Sequence, residues 1–210
     1  MILSLPNILT LSRIGAIPLL IALFYWDHPL AGWVACGLFT VAGFTDFFDG
    51  YLARTRRQHS RLGRMLDPIA DKLLVGAVVV MLVAFDKAPV LAALVILCRE
   101  LLVSGLREFL AEISVSVPVS RLAKWKTTIQ MFAIGFLLLG EAGPSFFHPA
   151  VTTVLIGEIL LWSAVVLTLI TGFDYLRVGL RHAWRPKPPV GEQLAESRAA
   201  RATKPPTPAA

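Results

Sequence analysis

"TDFFDGYLARTRRQHSRLGRMLDPIADK", residues 45–72, carries four aspartates on either side of a basic stretch: Asp46, Asp49, Asp67 and Asp71. The segments around it are almost purely apolar. Asp46 and Asp49 are three apart, with Gly50 and Ala53 at four and seven from Asp46; Gly63, Asp67 and Asp71 step by four. On helices, each set occupies one face. Pro68 predicts that the second helix starts near Asp67, with Asp67 as its cap and Pro68 in its first turn. The two helices are consecutive and joined by a short connection. The spacing therefore predicts antiparallel neighbours whose acidic faces meet.

Four ionised carboxylates so placed repel one another, and ionisable groups at membrane depth are costly. The arrangement becomes reasonable around divalent cations, because hard oxygen donors suit Mg²⁺ or Mn²⁺. Two ions about 3.5–4 Å apart, shared by carboxylates, are a recurring device for phosphoryl transfer. Gly50, Ala53 and Gly63 leave room on the same faces for a substrate to approach the backbone. Interfacial aspartates paired with Arg54, Arg56, Arg57 and Arg64 are the simpler alternative. It accounts for one or two pairs better than for four at helical spacing.

Working outward, the chain of 210 residues is 56% hydrophobic and 16% charged. A soluble domain carries about a quarter charged residues, so a membrane solvent fits better. Six apolar segments run over about 7–26, 31–54, 66–85, 88–111, 122–140 and 150–176. Each is near the ~20 residues that cross a hydrocarbon core of ~30 Å. "WDHP" at 26–29, "DKAP" at 86–89 and "EAGPSFFHP" at 141–149 supply turns. Trp26, Trp33, Trp125 and Trp184 fall near segment ends, as interfacial aromatics do. The expected architecture is all-α: a polytopic six-transmembrane-helix bundle over residues 1–180. "LPNILTLSRI" (5–14) reads as an N-terminal interfacial helix, and residues 181–210 as a disordered cytoplasmic tail. The start of the chain lacks a basic region and a small-residue cleavage site, so no removable signal is expected.

The net charge is +6. Arg54, Arg56, Arg57, Arg61, Arg64, Lys72, Arg107, Arg121, Lys124 and Lys126 fall in or beside one set of connections; the opposite set holds only Lys87. By the positive-inside rule, both termini and the four aspartates face the cytoplasm. Topology thus accounts for the basic balance, and no nucleic-acid partner is expected. Cys36 and Cys98 read as buried hydrophobes, and His28, His59, His148 and His182 lack metal-ligand spacing. Glu158 reads as a hydrogen-bonded interior residue of the sixth segment.

The pattern D-x-x-D-G-x-x-A-R-(x8)-G-x-x-x-D-x-x-x-D, formed by Asp46, Asp49, Gly50, Ala53, Arg54, Gly63, Asp67 and Asp71, resembles the signature of the CDP-alcohol phosphatidyltransferases at every position. "LPNILTLSRI", "CRELLVSGLREFLAE" (98–112) and "KWKTTIQM" (124–131) look like the phosphatidylglycerophosphate synthase branch. The resemblance covers about residues 4–178. Ala123 stands where that branch often has glycine, which affects loop geometry but removes no ligand. The resemblance implies a homodimeric membrane bundle in the bacterial inner (cytoplasmic) membrane. It implies CDP-diacylglycerol and sn-glycerol 3-phosphate as substrates, phosphatidylglycerol phosphate and CMP as products, and two divalent cations, Mg²⁺ or Mn²⁺. Asp46, Asp49, Asp67 and Asp71 would be metal ligands, with Asp71 also the general base. Gly50, Ala53, Arg54 and Gly63 would line the CDP-diacylglycerol site.

Beside the resemblance, a dianionic acceptor needs fixed cations. Arg99, Arg107, Lys124 and Lys126 lie toward the cytoplasmic end and are the candidates for glycerol phosphate. Arg99 lies deepest in an apolar run and needs a partner. The alternative for each is a positive-inside anchor or snorkelling side chain. Asn7, Thr10 and Arg13 could touch lipid phosphates or nucleotide, or serve only as caps and anchors. Other acceptors (inositol phosphate, serine or phosphatidylglycerol) remain open on the same metal site. So does a non-catalytic cation-binding or transport protein, against which no polar chain continues to the other side.

Overall fold

The computed structural model of the chain describes residues 5–56, 61–112, 121–144 and 152–183. For 5–9, 46–56, 61–65, 67, 68, 112, 182 and 183 it describes the backbone alone. The described residues form six α-helices and no strand: α1 (Leu5–Phe24), α2 (Ala31–Arg56), α3 (Arg61–Ala84), α4 (Val90–Glu112), α5 (Arg121–Leu139) and α6 (Thr153–Ala183). The connections 57–60 and 113–120, and the tail from 184 with Trp184, lie outside the described residues.

The turns follow from local chemistry. Between α1 and α2, the His28 carbonyl accepts from Ala31 N–H at 2.9 Å and its Nδ1 from Leu30 N–H at 3.1 Å. α3 ends in a Schellman motif. Asp86 sits at φ 56°, Lys87 N–H donates to Leu82 O at 2.7 Å, and Asp86 N–H donates to Val83 O at 3.1 Å. α5 ends where Gly140 takes φ +56°, and Thr153 Oγ1 donates to the Gly140 carbonyl at 2.6 Å, joining the start of α6 to the end of α5.

Successive helices alternate in direction. α5 and α6 pair antiparallel, with Leu137 against Gly157 and Gly140 against Thr153. α2 and α5 do likewise through Cys36–Gly135 and Gly43–Met131, and α3 and α4 through Lys72–Ser104 and Gly76–Leu97. α4 and α6 run parallel, with Arg99 against Gly172 and Leu106 against Gly179. α1 packs along both α2 and α3, and its last ring, Phe24, meets Phe85 beyond the end of α3 with centroids 5.4 Å apart. The apolar core, including Leu20, Phe39, Leu82, Ile96, Leu137 and Leu161, fills the half of the bundle remote from the aspartates.

The outward faces are apolar: Leu19, Val41, Leu91, Leu101, Val166 and Phe173 are all exposed. Arg13, Lys126 and Gln130 are buried. This inverts the usual soluble distribution. Among the described residues, α6 alone is long and apolar enough to cross a membrane, over Thr153–Arg181; Thr10–Phe24 and Ala31–Thr45 are shorter apolar stretches. α2, α3, α4 and α5 carry charged residues toward one end, and α1 carries one charge, Arg13, within it.

Several expectations are corrected. α3 begins at Arg61, so Pro68 lies inside it and Asp67 is no cap. A proline removes one helical hydrogen bond; the helix formers Arg61, Leu62, Arg64, Met65 and Leu66 extend the helix upstream regardless. Among the described residues, no separate interfacial helix precedes the first segment. Leu5–Ile14 is the start of continuous α1, with Pro6 in its first turn and Pro18 inside. α6 runs past residue 180 to Ala183. Cys98 is exposed rather than buried, Cys36 half-buried, and Glu158 lies on an exposed face of α6 within two turns of its start.

Between lipid-solvated helices, association depends on close van der Waals packing, which small residues permit. A Cβ on Gly157 would stand 2.8 Å from the Leu137 side chain and 3.2 Å from its backbone nitrogen. Gly157→Ala is therefore expected to destabilise the fold by about 1–3 kcal/mol. Gly37→Ala, where a Cβ meets nothing within 4 Å, should stabilise by about 0.5–1 kcal/mol. Thermal unfolding in detergent checks the pair. Equal midpoints would contradict the close α5–α6 seam.

Candidate functional site

The polar side chains of the bundle gather at one end. α2 runs without interruption through Asp46, Asp49, Gly50, Ala53 and Arg54, and α3 through Gly63, Asp67 and Asp71. Helical geometry thus holds Asp46, Asp49, Gly50 and Ala53 on one face of α2, and Gly63, Asp67 and Asp71 on one face of α3. The side chains of Asp46, Asp49, Gly50, Ala53, Arg54, Gly63 and Asp67 lie outside the described ones, as does that of Asn7. Asp71 is exposed, next to the fully buried Ala70. Four carboxylates on two continuous helices are a hard-oxygen donor set and fit Mg²⁺ or Mn²⁺ chemically. Among the described residues, no group of three His, Cys, Asp or Glu offers another metal site.

Beside this face, α4, α5 and α6 build a charged cluster. Lys126 of α5 is 2% exposed, and its ammonium donates to Glu100 Oε1 of α4. Arg99 Nη1 lies 3.4 Å from the same oxygen, while Nη2 donates to Thr171 Oγ1 of α6 at 2.9 Å. The Thr171 hydroxyl in turn donates to the Leu167 carbonyl at 2.8 Å. One carboxylate thus links two cations from different helices. The arrangement meets the requirement that a buried charge be paired and hydrogen-bonded. Gln130, one turn beyond Lys126, is also buried. Among the described residues, Gln130 Oε1, Thr168 Oγ1 and Arg99 Nε have no hydrogen-bond partner.

The cluster and the aspartate face adjoin. Lys72, the neighbour of Asp71, donates to Ser104 Oγ of α4, and Asp71 lies within Coulombic range of Lys126. On α1, Thr10 and Arg13 are fully buried and both engaged within the chain. Of the four basic candidates, the structure brings Arg99 and Lys126 together through Glu100. Arg107 and Lys124 are exposed. Lys124 is two residues from Lys126, so a helix turns it to nearly the opposite side.

Sequence reasoning missed Glu100 as the bridge, Thr171 as the Arg99 partner, and the buried Gln130 and Thr168. Their signal was present: polar residues at i, i+3 (Thr168, Thr171) inside an apolar run, and Gln130 four after Lys126. A groove of about 590 Å³ runs between α2 and α5, lined by Phe39, Thr40, Phe44, Thr128, Met131 and Phe132 among others. It follows α2 to Phe44, half a turn from Asp46.

Comparison with known proteins gives a family and named relatives. The model of the family described as "CDP-alcohol phosphatidyltransferase" matches residues 3–170. A Rickettsia bellii protein named CDP-diacylglycerol–glycerol-3-phosphate 3-phosphatidyltransferase is 52% identical over 174 residues, covering 83% of this chain and 94% of its own length. Proteins of the same name from Cereibacter sphaeroides and Bacillus subtilis are 40% and 37% identical, covering 84% and 82% of this chain and 96% and 93% of their own.

Removing one partner of a buried ion pair costs about 3–5 kcal/mol, whereas replacing both is often near neutral. Glu100→Gln is expected to lower the unfolding midpoint sharply by stranding the Lys126 ammonium. Adding Lys126→Met should recover most of that loss. An unchanged midpoint in Glu100→Gln would show that the pair does not hold α4 to α5.

Proposed function

This chain belongs to the CDP-alcohol phosphatidyltransferase family, and from that premise we propose that it transfers the phosphatidyl group of CDP-diacylglycerol to sn-glycerol 3-phosphate, giving phosphatidylglycerol phosphate and CMP. The observation that carries the choice of acceptor is the Arg99–Glu100–Lys126 cluster beside Asp71. A dianionic phosphate matches two fixed cations, and an arginine fork binds phosphate bidentately. Relatives covering over four-fifths of this chain carry the corresponding name.

The aspartates of α2 and α3 hold the reacting end of the donor. Asp46, Asp49, Asp67 and Asp71 would hold two divalent cations, Mg²⁺ or Mn²⁺, which would supply charge neutralisation for the pyrophosphate and the departing CMP. Gly50, Ala53 and Gly63 leave space for the cytidine, Arg54 meets nucleotide or phosphate, and Asn7 and Thr10 approach from α1. The α2–α5 groove accepts an acyl chain. Arg99 and Lys126 hold the acceptor phosphate, with Arg107 and Lys124 drawing the anion in from the surface. Asp71 takes the proton from the acceptor hydroxyl as its oxygen attacks the β-phosphorus, and the bond to CMP breaks. An ionised aspartate is ready at neutral pH but is a weak base.

The six helices cross the bacterial inner membrane, with the aspartate end and both termini in the cytoplasm, and the chain works as a homodimer. Alternating helix directions, apolar outer faces and the placement of Lys and Arg at the aspartate end support this orientation. The core from Leu20 to Leu161 separates the cluster from the other end, which argues against a transport path.

The test is CMP release by purified protein from CDP-diacylglycerol with Mg²⁺ or Mn²⁺, offering glycerol 3-phosphate, inositol phosphate, serine or phosphatidylglycerol. Turnover is expected with glycerol 3-phosphate and should stop with EDTA. Preference for another acceptor would contradict the assignment. Asp71→Asn should keep CDP-diacylglycerol binding and lose about 10²–10⁴ in turnover; normal turnover would remove Asp71 as the base.

A further inference from the structure

We propose that Thr171, with Gly172 beside it, is a positioning residue for the acceptor phosphate: from α6 it fixes the Arg99 guanidinium in the direction that recognition requires. The inference rests on the reading of Arg99 as a phosphate ligand. It assigns a functional role to a helix that contributes none of the sequence-predicted site residues.

Three observations carry it. First, Thr171 is 1% exposed, and its hydroxyl accepts from Arg99 Nη2 at 2.9 Å while donating to the Leu167 carbonyl at 2.8 Å. The bond to Leu167 fixes the hydroxyl, so its lone pair is aimed before any substrate arrives. Second, Gly172 makes space for the arginine shaft. A Cβ there would stand 3.1 Å from Arg99 Cγ and 3.7 Å from Nε. Arg99 Nε is thereby enclosed against α6, buried and without a hydrogen-bond partner among the described residues. Third, the other contact on the fork is long: Nη1 lies 3.4 Å from Glu100 Oε1, an oxygen already engaged by Lys126. Thr171 therefore makes the closer bond to the guanidinium.

A guanidinium recognises phosphate through two parallel N–H groups, so its orientation matters as much as its charge. With Nε turned to α6, the end of the fork is the edge left for an anion. Nη1 and Nη2 each keep a second hydrogen for it. Removing the Thr171 hydroxyl frees the plane to rotate. Affinity for the acceptor then falls, while Asp71 and the donor site are untouched.

The experiment compares Thr171→Val, Thr171→Ser and Gly172→Ala with the wild type in CMP release, varying each substrate. Thr171→Val keeps shape and loses the hydroxyl. It should raise KM for glycerol 3-phosphate about tenfold, the scale of a hydrogen bond to a charged group, with kcat and the KM for CDP-diacylglycerol nearly unchanged. Thr171→Ser should restore the KM. Gly172→Ala should raise it by displacing the shaft. In an Arg99→Lys background, which lacks the fork, Thr171→Val should add nothing. A KM in Thr171→Val equal to wild type, or equal losses for both substrates with a fallen unfolding midpoint, would overturn the inference. Its failure is separable from failure of the acceptor assignment. If the wild type prefers another phosphorylated acceptor, the assignment fails, and the inference stands if Thr171→Val raises the KM for that one. Preference for an acceptor without phosphate overturns both.

Discussion

A charge enclosed by apolar helices must meet its counter-charge at short range, and the Lys126–Glu100–Arg99 cluster is where this bundle satisfies that demand. The pairing fixes α5 against α4. The Arg99–Thr171 bond then fixes α4 against α6. Since α6 also lies along α5, with Gly157 against Leu137, three helices are set by one polar knot and one close-packed seam. The knot determines register, because sliding α4 against α5 by a turn would bury the Lys126 ammonium without its carboxylate, and sliding α6 would break the Arg99–Thr171 bond.

The same demand sorts the molecule into two ends. One end gathers aspartates, arginines and lysines. The other closes with aromatic and turn chemistry. There Trp33 Nε1 donates to the Ala142 carbonyl at 3.1 Å, and Lys87 stands over the Phe24 ring at 5.7 Å. Between them lies a core of leucine, valine and alanine. α1 packs on both acid-bearing helices, and its buried Thr10 and Arg13 bring polar groups toward the same end as the aspartates. Chemistry on a water-soluble anion and a lipid-bound nucleotide needs such a layout: a polar mouth at one membrane face, and an apolar groove leading from it.

Much of this was legible in the sequence. The number and order of the helices followed from apolar runs of crossing length. The spacings of three and four around the aspartates have helical period, and both stretches are helical. Boundaries were less legible. Pro68 reads as a helix start, yet the residues before it favour helix strongly enough to continue α3 to Arg61. "LPNILTLSRI" reads as an interfacial piece because it is amphipathic, but the same polar positions are explained by burial of Thr10 and Arg13 within the bundle. The acceptor cluster was half legible. Arg99 in an apolar run implied a partner, but which residue answered depended on the crossing of α4, α5 and α6. Thr171 lies 72 positions away, and no local pattern links the two. Arg107 matched Arg99 in helical phase but lies two turns nearer the surface.

The most direct test of the two-ended account is sidedness. Lys87→Cys and Arg107→Cys, each in a Cys36→Ala/Cys98→Ala background, would be treated with a membrane-impermeant thiol reagent in spheroplasts and in inverted inner-membrane vesicles. The account predicts labelling at position 87 only in spheroplasts and at 107 only in inverted vesicles. Labelling of both positions from the same side would contradict it, because the polar and aromatic ends would then share one membrane face.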